Sequence, residues 1–389
     1  MKLKKLTALL SAVLLLVSMF CVFAYAENER ELRFSDGEFK IMVFTDIHEG
    51  MGSNGCARRI MREALLKHSP DLVVLLGDNT VADSIEDHEI LIERITAPMR
   101  EMNIPYAAIF GNHDGQAEGV TKEALLEIYQ KYGCLSYDAV PEIYGCGNFN
   151  LPIMSSDGSQ VKLNLWFFDS GSDNPDETVG GYDYVRKDQI QWYKETAAEL
   201  KEANGGVAVP SLNFQHIILP QVYDVIYPEF SVDLGKGCNS YNGKHYSLIP
   251  RFGGYTGFVY EPPQPPYNDV DGELEAFEEV GDIMASFSGH DHVNSFTANV
   301  NGIDFVSVPT VHNKNYSNDT NRGAGLITVK ESSPNEYEYQ LVRAADLALE
   351  SGSAICDEEG STSKFSYFFA SRLADVCLVF QKIINFIFY

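Results

Sequence analysis

The chain has 389 residues, 45% of them hydrophobic and 22% charged, with a formal net charge of −26. That length and composition support a sizeable folded core in one or two domains. So acidic a chain excludes nucleic-acid binding through a basic face, because phosphate backbones are held by clustered Lys and Arg.

Lys2, Lys4 and Lys5 precede an apolar run from Leu6 to Phe23, and Ala24-Tyr25-Ala26 is a small-x-small cleavage pattern. Residues 1–26 therefore read as a secretory signal peptide, which implies an extracytoplasmic protein; an uncleaved membrane anchor is the alternative. Beyond the cleavage point lie Cys56, Cys134, Cys146, Cys238, Cys356 and Cys377, none of them in a C-x-x-C unit. Cys134 and Cys146 are the expected local disulfide, although spacing alone leaves the connectivity open.

Phe39–His48, Asp71–Asp78 and Pro105–Asp114 each begin as an apolar run and end in polar residues: "TDIH", "GDN" and "GNHD". Helical spacing fills the intervals at Ala57–Lys67 and Glu86–Glu101, and a third helix is expected at Lys122–Tyr132, stopping at Gly133. A β-α-β-α-β order implies parallel strands with crossover helices, and hence an α/β fold. In such sheets ligands gather at the carboxyl ends of strands, so the polar clusters can share one site. A further strand is expected at Val161–Ser170, a helix at Arg186–Ala203, and a strand at Ser211–Pro220 carrying His216. Residues 221–272 form a long irregular stretch rich in Tyr, Gly and Pro, of the kind that is functional or mobile. The segment from Tyr241 to Tyr267 could supply a pocket wall or pack as a surface loop. Then follow a short helix, "SGHDHVNSF" at 288–296, and strands within "GIDFVSVPT" and "GAGLITVKE". Phe365, Phe369, Leu373, Val376, Phe380, Ile383, Ile384 and Ile387 recur at helical spacing near the end, with Asp375 and Lys382 opposite. Charge interrupts this stretch too often for a membrane-spanning helix. It suits either an amphipathic helix at a membrane surface or an ordinary core helix.

The polar strand ends supply Asp46, His48, Asp78, Asn112, His113 and Asp114, to which His216, His290 and His292 add further imidazoles. Carboxylate, amide oxygen and imidazole are ligands for Zn, Mn or Fe. The set is too large for one tetrahedral ion and economical for two that share a bridging carboxylate, an arrangement typical of phosphate-ester hydrolysis. Arg251, Lys314 and Arg322 are more readily placed on solvated faces than against a phosphate.

The ordered blocks D46-x-H48, G77-D78-N79, G111-N112-H113-D114, H216 and G289-H290-x-H292 resemble the calcineurin-like metallophosphoesterase superfamily. Flanking text such as "LWFFDSG" and "NFQHIILP" is similar to its purple-acid-phosphatase-like branch. The resemblance spans about residues 39–330. It implies a four-layer α/β/β/α sandwich with the site at strand carboxyl ends, and a catalytic domain over 34–345 followed by an extension at 346–389. It implies two divalent metal ions (Mn, Fe or Zn). Asp46, His48 and His292 would hold one, Asn112, His216 and His290 the other, and Asp78 would bridge them. His113 would be the catalytic histidine and Asp114 its orienting partner. The implied reaction is attack of a metal-bridging hydroxide on a phosphate ester. A phosphodiesterase acting on nucleotides, lipid head groups or wall polymers is the alternative, and a non-catalytic surface binding protein a more distant one. Val81 stands where true purple acid phosphatases carry an iron-binding Tyr, and His48 where they carry Gly, so a ferric tyrosinate centre is not expected. Ser295 follows Asn294 where the branch usually has Asp.

Overall fold

The computed structural model describes residues 31–176, 178, 180–232, 239–241, 243–267, 271–312, 316–351 and 364–388. The expected signal peptide lies outside them. Two large sheets form the scaffold. The strands of the first are β1 (Glu38–Phe44), β2 (Leu72–Leu76) and β3 (Tyr106–Ile109), which run parallel, with β11 (Gly323–Lys330) antiparallel beside β1 and β12 (Ser333–Arg343) antiparallel beside β11 at the edge. β2 is LVVLL and is buried along its whole length, as a parallel strand covered on both faces must be. The second sheet comprises β4 (Phe149–Met154), β5 (Val161–Phe167), β6 (Ser211–Phe214), β7 (Thr256–Phe258), β8 (Ile283–Ser288), β9 (Ser295–Val300) and β10 (Ile303–Ser307). Its spatial order is β7-β9-β10-β8-β6-β5-β4, with the β10-β8-β6-β5 core parallel.

Each sheet turns one face to helices. Helices α1 (Cys56–His68), α2 (Ile85–Glu101) and α3 (Lys122–Lys131) bring Ile60, Met61, Ile92, Ile95, Met99, Leu125 and Tyr129 onto Met42, Phe44, Val73 and Leu75. The Ser84 and Thr121 side chains accept backbone N–H bonds from Asp87 and Ala124, capping α2 and α3. Helices α4 (Lys187–Ala203), α5 (Val222–Ile226) and α6 (Glu273–Val280) cover the second sheet, where Tyr193, Tyr223 and Phe277 join Trp166, Phe168 and Phe305. Helix α7 (Ala344–Ser351) packs with the first helix layer, so that Leu347 and Ala348 carry this core past the expected domain end at 345.

The inner faces meet through aromatic rings. Phe149, Phe167, Phe214 and Phe287 stack across β4, β5, β6 and β8 with centroids 4.3, 5.2 and 5.4 Å apart. Phe287 then reaches Tyr337 and Tyr339 of β12 in the opposite sheet, at 5.9 and 5.8 Å. Helices outside and two sheets facing each other make the four-layer α/β/β/α sandwich that was expected.

Several expectations need correction. Strand β4 was not anticipated, and neither was β12, where exposed polar residues alternate with the inward tyrosines. Cys134 and Cys146 are not joined; both are free thiols, Cys134 lying 3.3 Å from the Ser136 hydroxyl, while Cys56 is disulfide-bonded. Arg322 is fully buried and paired with Asp319 at 2.6 Å, not solvated. The terminal apolar segment forms helix α8 (Lys364–Phe388). No helix among the described residues is long and apolar enough to cross a membrane.

If the aromatic ladder couples the two sheets, Phe287→Ala should destabilise the fold by about 3–5 kcal/mol, the usual cost of emptying a buried aromatic site. An unchanged denaturant midpoint would show that the ladder does not hold the sheets together.

Candidate metal centre

All the expected ligands lie where parallel strands end. The first sheet supplies Asp46 and His48 after β1, Asp78 after β2, and Asn112 and His113 after β3. The second supplies His216 after β6, and His290 and His292 after β8. Asp46, His48, Asp78 and His290 have φ of 51°, 43°, 51° and 69°, in the left-handed region that non-glycine residues avoid. Each such residue costs on the order of 1–2 kcal/mol, and the sharp bend folds its side chain back over the strand end. Backbone bonds hold these bends: Asp46 N–H donates to Gly77 O, His48 N–H to Asp78 O, and Gly289 N–H to His216 O.

Two motif glycines are required by close approach. A Cβ on Gly111 would stand 2.2 Å from Asp78 Oδ1, and one on Gly289 would stand 1.9 Å from Thr45 Oγ1 and 2.8 Å from Asp46 Oδ2. Both carboxylates are seated against bare backbone. Asp78 Oδ1 accepts the His113 N–H at 2.8 Å, and Asp46 Oδ2 accepts the His290 N–H at 2.9 Å and the Thr45 hydroxyl at 2.8 Å.

The remaining lone pairs converge. Asp46, His48 and His292 offer one set of donor atoms mutually within 4.8 Å, and Asp78, His216 and His290 offer another. Asp78 Oδ2 lies 3.3 Å from His216 Nε2 and 3.8 Å from His48 Nε2, within reach of both sets, as a bridging ligand must be. His48 Nε2 and His292 Nε2 face each other at 3.1 Å. Nδ1 of His216 donates to Leu76 O at 2.8 Å, and Nδ1 of His292 to Tyr316 O at 2.9 Å, because a carbonyl can only accept. With Nδ1 so engaged, Nε2 of each ring faces the cluster. Burial lowers His216, but Asp78 and Asp46 outweigh it and push the ring up to about 10, so a bound cation would take the place of its Nε2 proton, as metal-ligating imidazoles require.

The fit to metal rests on atoms left over. Asp46 Oδ1, Asn112 Oδ1, His216 Nε2 and His290 Nε2 are buried and have no hydrogen-bond partner. An unsatisfied buried polar atom costs about 1–3 kcal/mol, so Asp46 Oδ1, His216 Nε2 and His290 Nε2, gathered in the two donor sets, call for a ligand. Oxygen and imidazole donors suit borderline divalent ions. Electrostatics agree. Burial pushes the Asp78 carboxyl up, yet His216 beside it more than offsets this and holds it at about 2. Burial raises Asp46 likewise, and His292 and His216 bring it well below the usual carboxylate range. Burial and the neighbouring His216 push His290 down to about 3, keeping its ring neutral.

His290 joins the Asp78 set and His292 the Asp46 set. Asp291 between them turns away and accepts the Gln264 N–H at 3.1 Å. Asn294 clamps the neighbouring loop, accepting from Tyr260 N–H and donating to Glu261 O, so Ser295 is free to begin β9.

Asp114 is the site residue whose expected role fails. Its carboxylate accepts backbone N–H bonds from Asp78 at 2.7 Å, Gly111 at 2.9 Å and Asn79 at 3.3 Å, pinning two ligand loops together. Burial and the Asp78 charge push it up to about 6. His113 is instead paired through Nδ1 with Gln116 Oε1 at 2.8 Å, on an exposed edge 5.5 Å from the His48 ring. Sequence reading missed Gln116, and also Tyr182, edge-on to His290 at 4.3 Å, Tyr316, against His292 at 4.6 Å, and His312, 6.2 Å from His48. Tyr182 and Tyr316 lie outside the Tyr-rich segment that had been considered for a pocket wall. All four sit in loops whose course no local pattern encodes.

Residues 39–294 match the family model described as calcineurin-like phosphoesterase. The chain is 29% identical over 331 residues to an Arabidopsis thaliana protein called probable inactive purple acid phosphatase 14, covering 76% of each. It is 28% identical over 216 residues to the Saccharomyces cerevisiae phosphatase DCR2, covering 49% of this chain and 36% of that protein. Among solved structures, a dimetal phosphatase from Danio rerio superposes with a TM-score of 0.49 at 10% identity, over 79% of this chain and 99% of that one.

Gly289→Ala should displace the Asp46 carboxylate, cost about 1–3 kcal/mol as an overpacked substitution, and lower metal content by elemental analysis. Full metal occupancy in that variant would refute the close-approach account.

Proposed function

This chain belongs to the calcineurin-like phosphoesterase family, and from that premise we propose that it is a two-metal phosphatase acting outside the cytoplasm. The observation that carries the reading is the pair of donor sets from both sheets, in which Asp46 Oδ1, His216 Nε2 and His290 Nε2 are buried and unpartnered. Asp46, His48 and His292 would hold one divalent ion, Asn112, His216 and His290 the other, with Asp78 between. When bound, such a pair lowers the pKa of water and neutralises phosphoryl oxygens. The basic, apolar and small-residue pattern of residues 1–26 supports export.

The chain's own residues do the rest. His113 stands at the rim and is tied by its backbone N–H to Asp78, so its ring is fixed relative to the ligand cluster. Its Nε2 donates the proton that the leaving oxygen needs as the P–O bond breaks. Gln116 accepts from Nδ1 and sets the rotation of the ring. Asp114 keeps the β2 and β3 loops together and touches no reacting atom. Relatives carry the word inactive in their names, but every ligand position in this chain is filled by a competent donor.

The test is turnover of a chromogenic phosphate monoester by metal-loaded protein, beside a diester. Faster cleavage of the diester would make the enzyme a phosphodiesterase. Two bound ions with no turnover of either would make it a binding protein. His113→Ala should keep its metal and lose about 10²- to 10⁴-fold in kcat, the usual worth of a positioned acid. Wild-type turnover in that variant would remove His113 from the mechanism. Gln116→Ala should slow an alkyl phosphate, whose leaving group needs a proton, far more than p-nitrophenyl phosphate, whose leaving group does not. Equal losses on both esters would assign Gln116 a structural role only.

A further inference from the structure

Helix α8 sits on the domain by its polar face. Asp375 Oδ1 meets Arg343 Nη2 at 2.8 Å, Gln381 Oε1 accepts the Gly257 N–H at 2.9 Å, and Ala374 is buried. The apolar stripe therefore points the other way. Phe369, Leu373, Val376, Phe380 and Ile383 recur along one line and are 48% to 61% exposed. A core helix shows the reverse arrangement.

We propose that α8 is an in-plane membrane anchor, its apolar stripe lying in the interface of a lipid bilayer. The helix is not long and apolar enough to cross one. A second copy of this chain fits the stripe poorly. A half-exposed large side chain offers on the order of 100 Å², so the five described side chains of the stripe offer about 500 Å², short of the ~800 Å² per partner of a stable interface. The stripe is also a single convex ridge, roughly 21 Å long at 1.5 Å per residue, a shape that lies flat in a planar interface. Charge favours an anionic surface. Residues 364–388 carry Lys364, Arg372 and Lys382 against Asp375 alone, in a chain whose net charge is −26. The docking also reaches the catalytic end. Gln381 holds the backbone of β7, and the chain beyond β7 donates from Tyr260 to Asn294 and from Gln264 to Asp291, in the loop of His290 and His292. Anchoring α8 would thus fix the metal centre relative to the lipid surface.

The test is flotation of residues 27–389 with vesicles of phosphatidylcholine alone or with phosphatidylglycerol. The compact unit runs from Arg33 to Tyr389, so removing residues 1–26 leaves it whole and prevents the apolar run at 6–23 from binding lipid itself. The protein should float with the vesicles, more completely with phosphatidylglycerol. The double variant Leu373→Asp, Phe380→Asp should lose at least tenfold of this binding while keeping its melting temperature and its turnover of a soluble ester. The proposal is overturned if the unmodified protein stays with the soluble fraction or if the variant floats equally well. It is also overturned if light scattering shows a dimer that the variant splits, which would assign the stripe to a second copy.

Discussion

The structure depends on two carboxylates buried where the sheets of a sandwich open. Asp46 and Asp78 are 0% and 1% exposed and belong to one sheet, and the imidazoles of His216, His290 and His292 reach them from the other. Neither sheet assembles the cluster alone. Burying such groups without compensation is costly, and the histidines compensate only in part, since four donor atoms still lack a partner. Binding of cations would satisfy all of them and join the two sheets at their open edge. Metal binding and closure of that edge are one event on this account.

The backbone is shaped to that end. Four ligand residues adopt left-handed conformations, and the motif glycines let carboxylates lie against neighbouring main chain. Strain of this kind persists only where surrounding structure enforces it. Here the enforcement comes from Asp114, which gathers three backbone N–H groups of the β2 and β3 loops, and from the bonds that cross between strand ends. The family resemblance implied that Asp114 orients His113. Its actual task is to fix the loops that carry the ligands.

Much of this was legible in the residues. Apolar runs ending in polar clusters marked β1, β2, β3 and β6 because the strand interior and the strand-end site impose opposite demands on neighbouring residues. The split of His290 and His292 between two ions came from the family resemblance, and it agrees with the divergence of residues two apart. Other features were hidden for physical reasons. The orienting role that the resemblance implied for Asp114 fails because its carboxylate is taken up by backbone N–H groups of the ligand loops. Gln116 was invisible because its bond to His113 depends on a loop turn. β12 was missed because its outward residues are polar and its inward ones are tyrosines. For α8 the spacing revealed the apolar stripe but not its direction, which is set by Asp375 and Gln381 finding Arg343 and Gly257.

The central claim is that both sheets converge on a pair of ions, and the most direct measurement is anomalous diffraction from crystals grown with Mn²⁺. The account predicts two peaks, one among Asp46, His48 and His292 and one among Asn112, His216 and His290, with Asp78 touching both. A single peak, or manganese bound elsewhere while these side chains keep their unpartnered atoms, would contradict it.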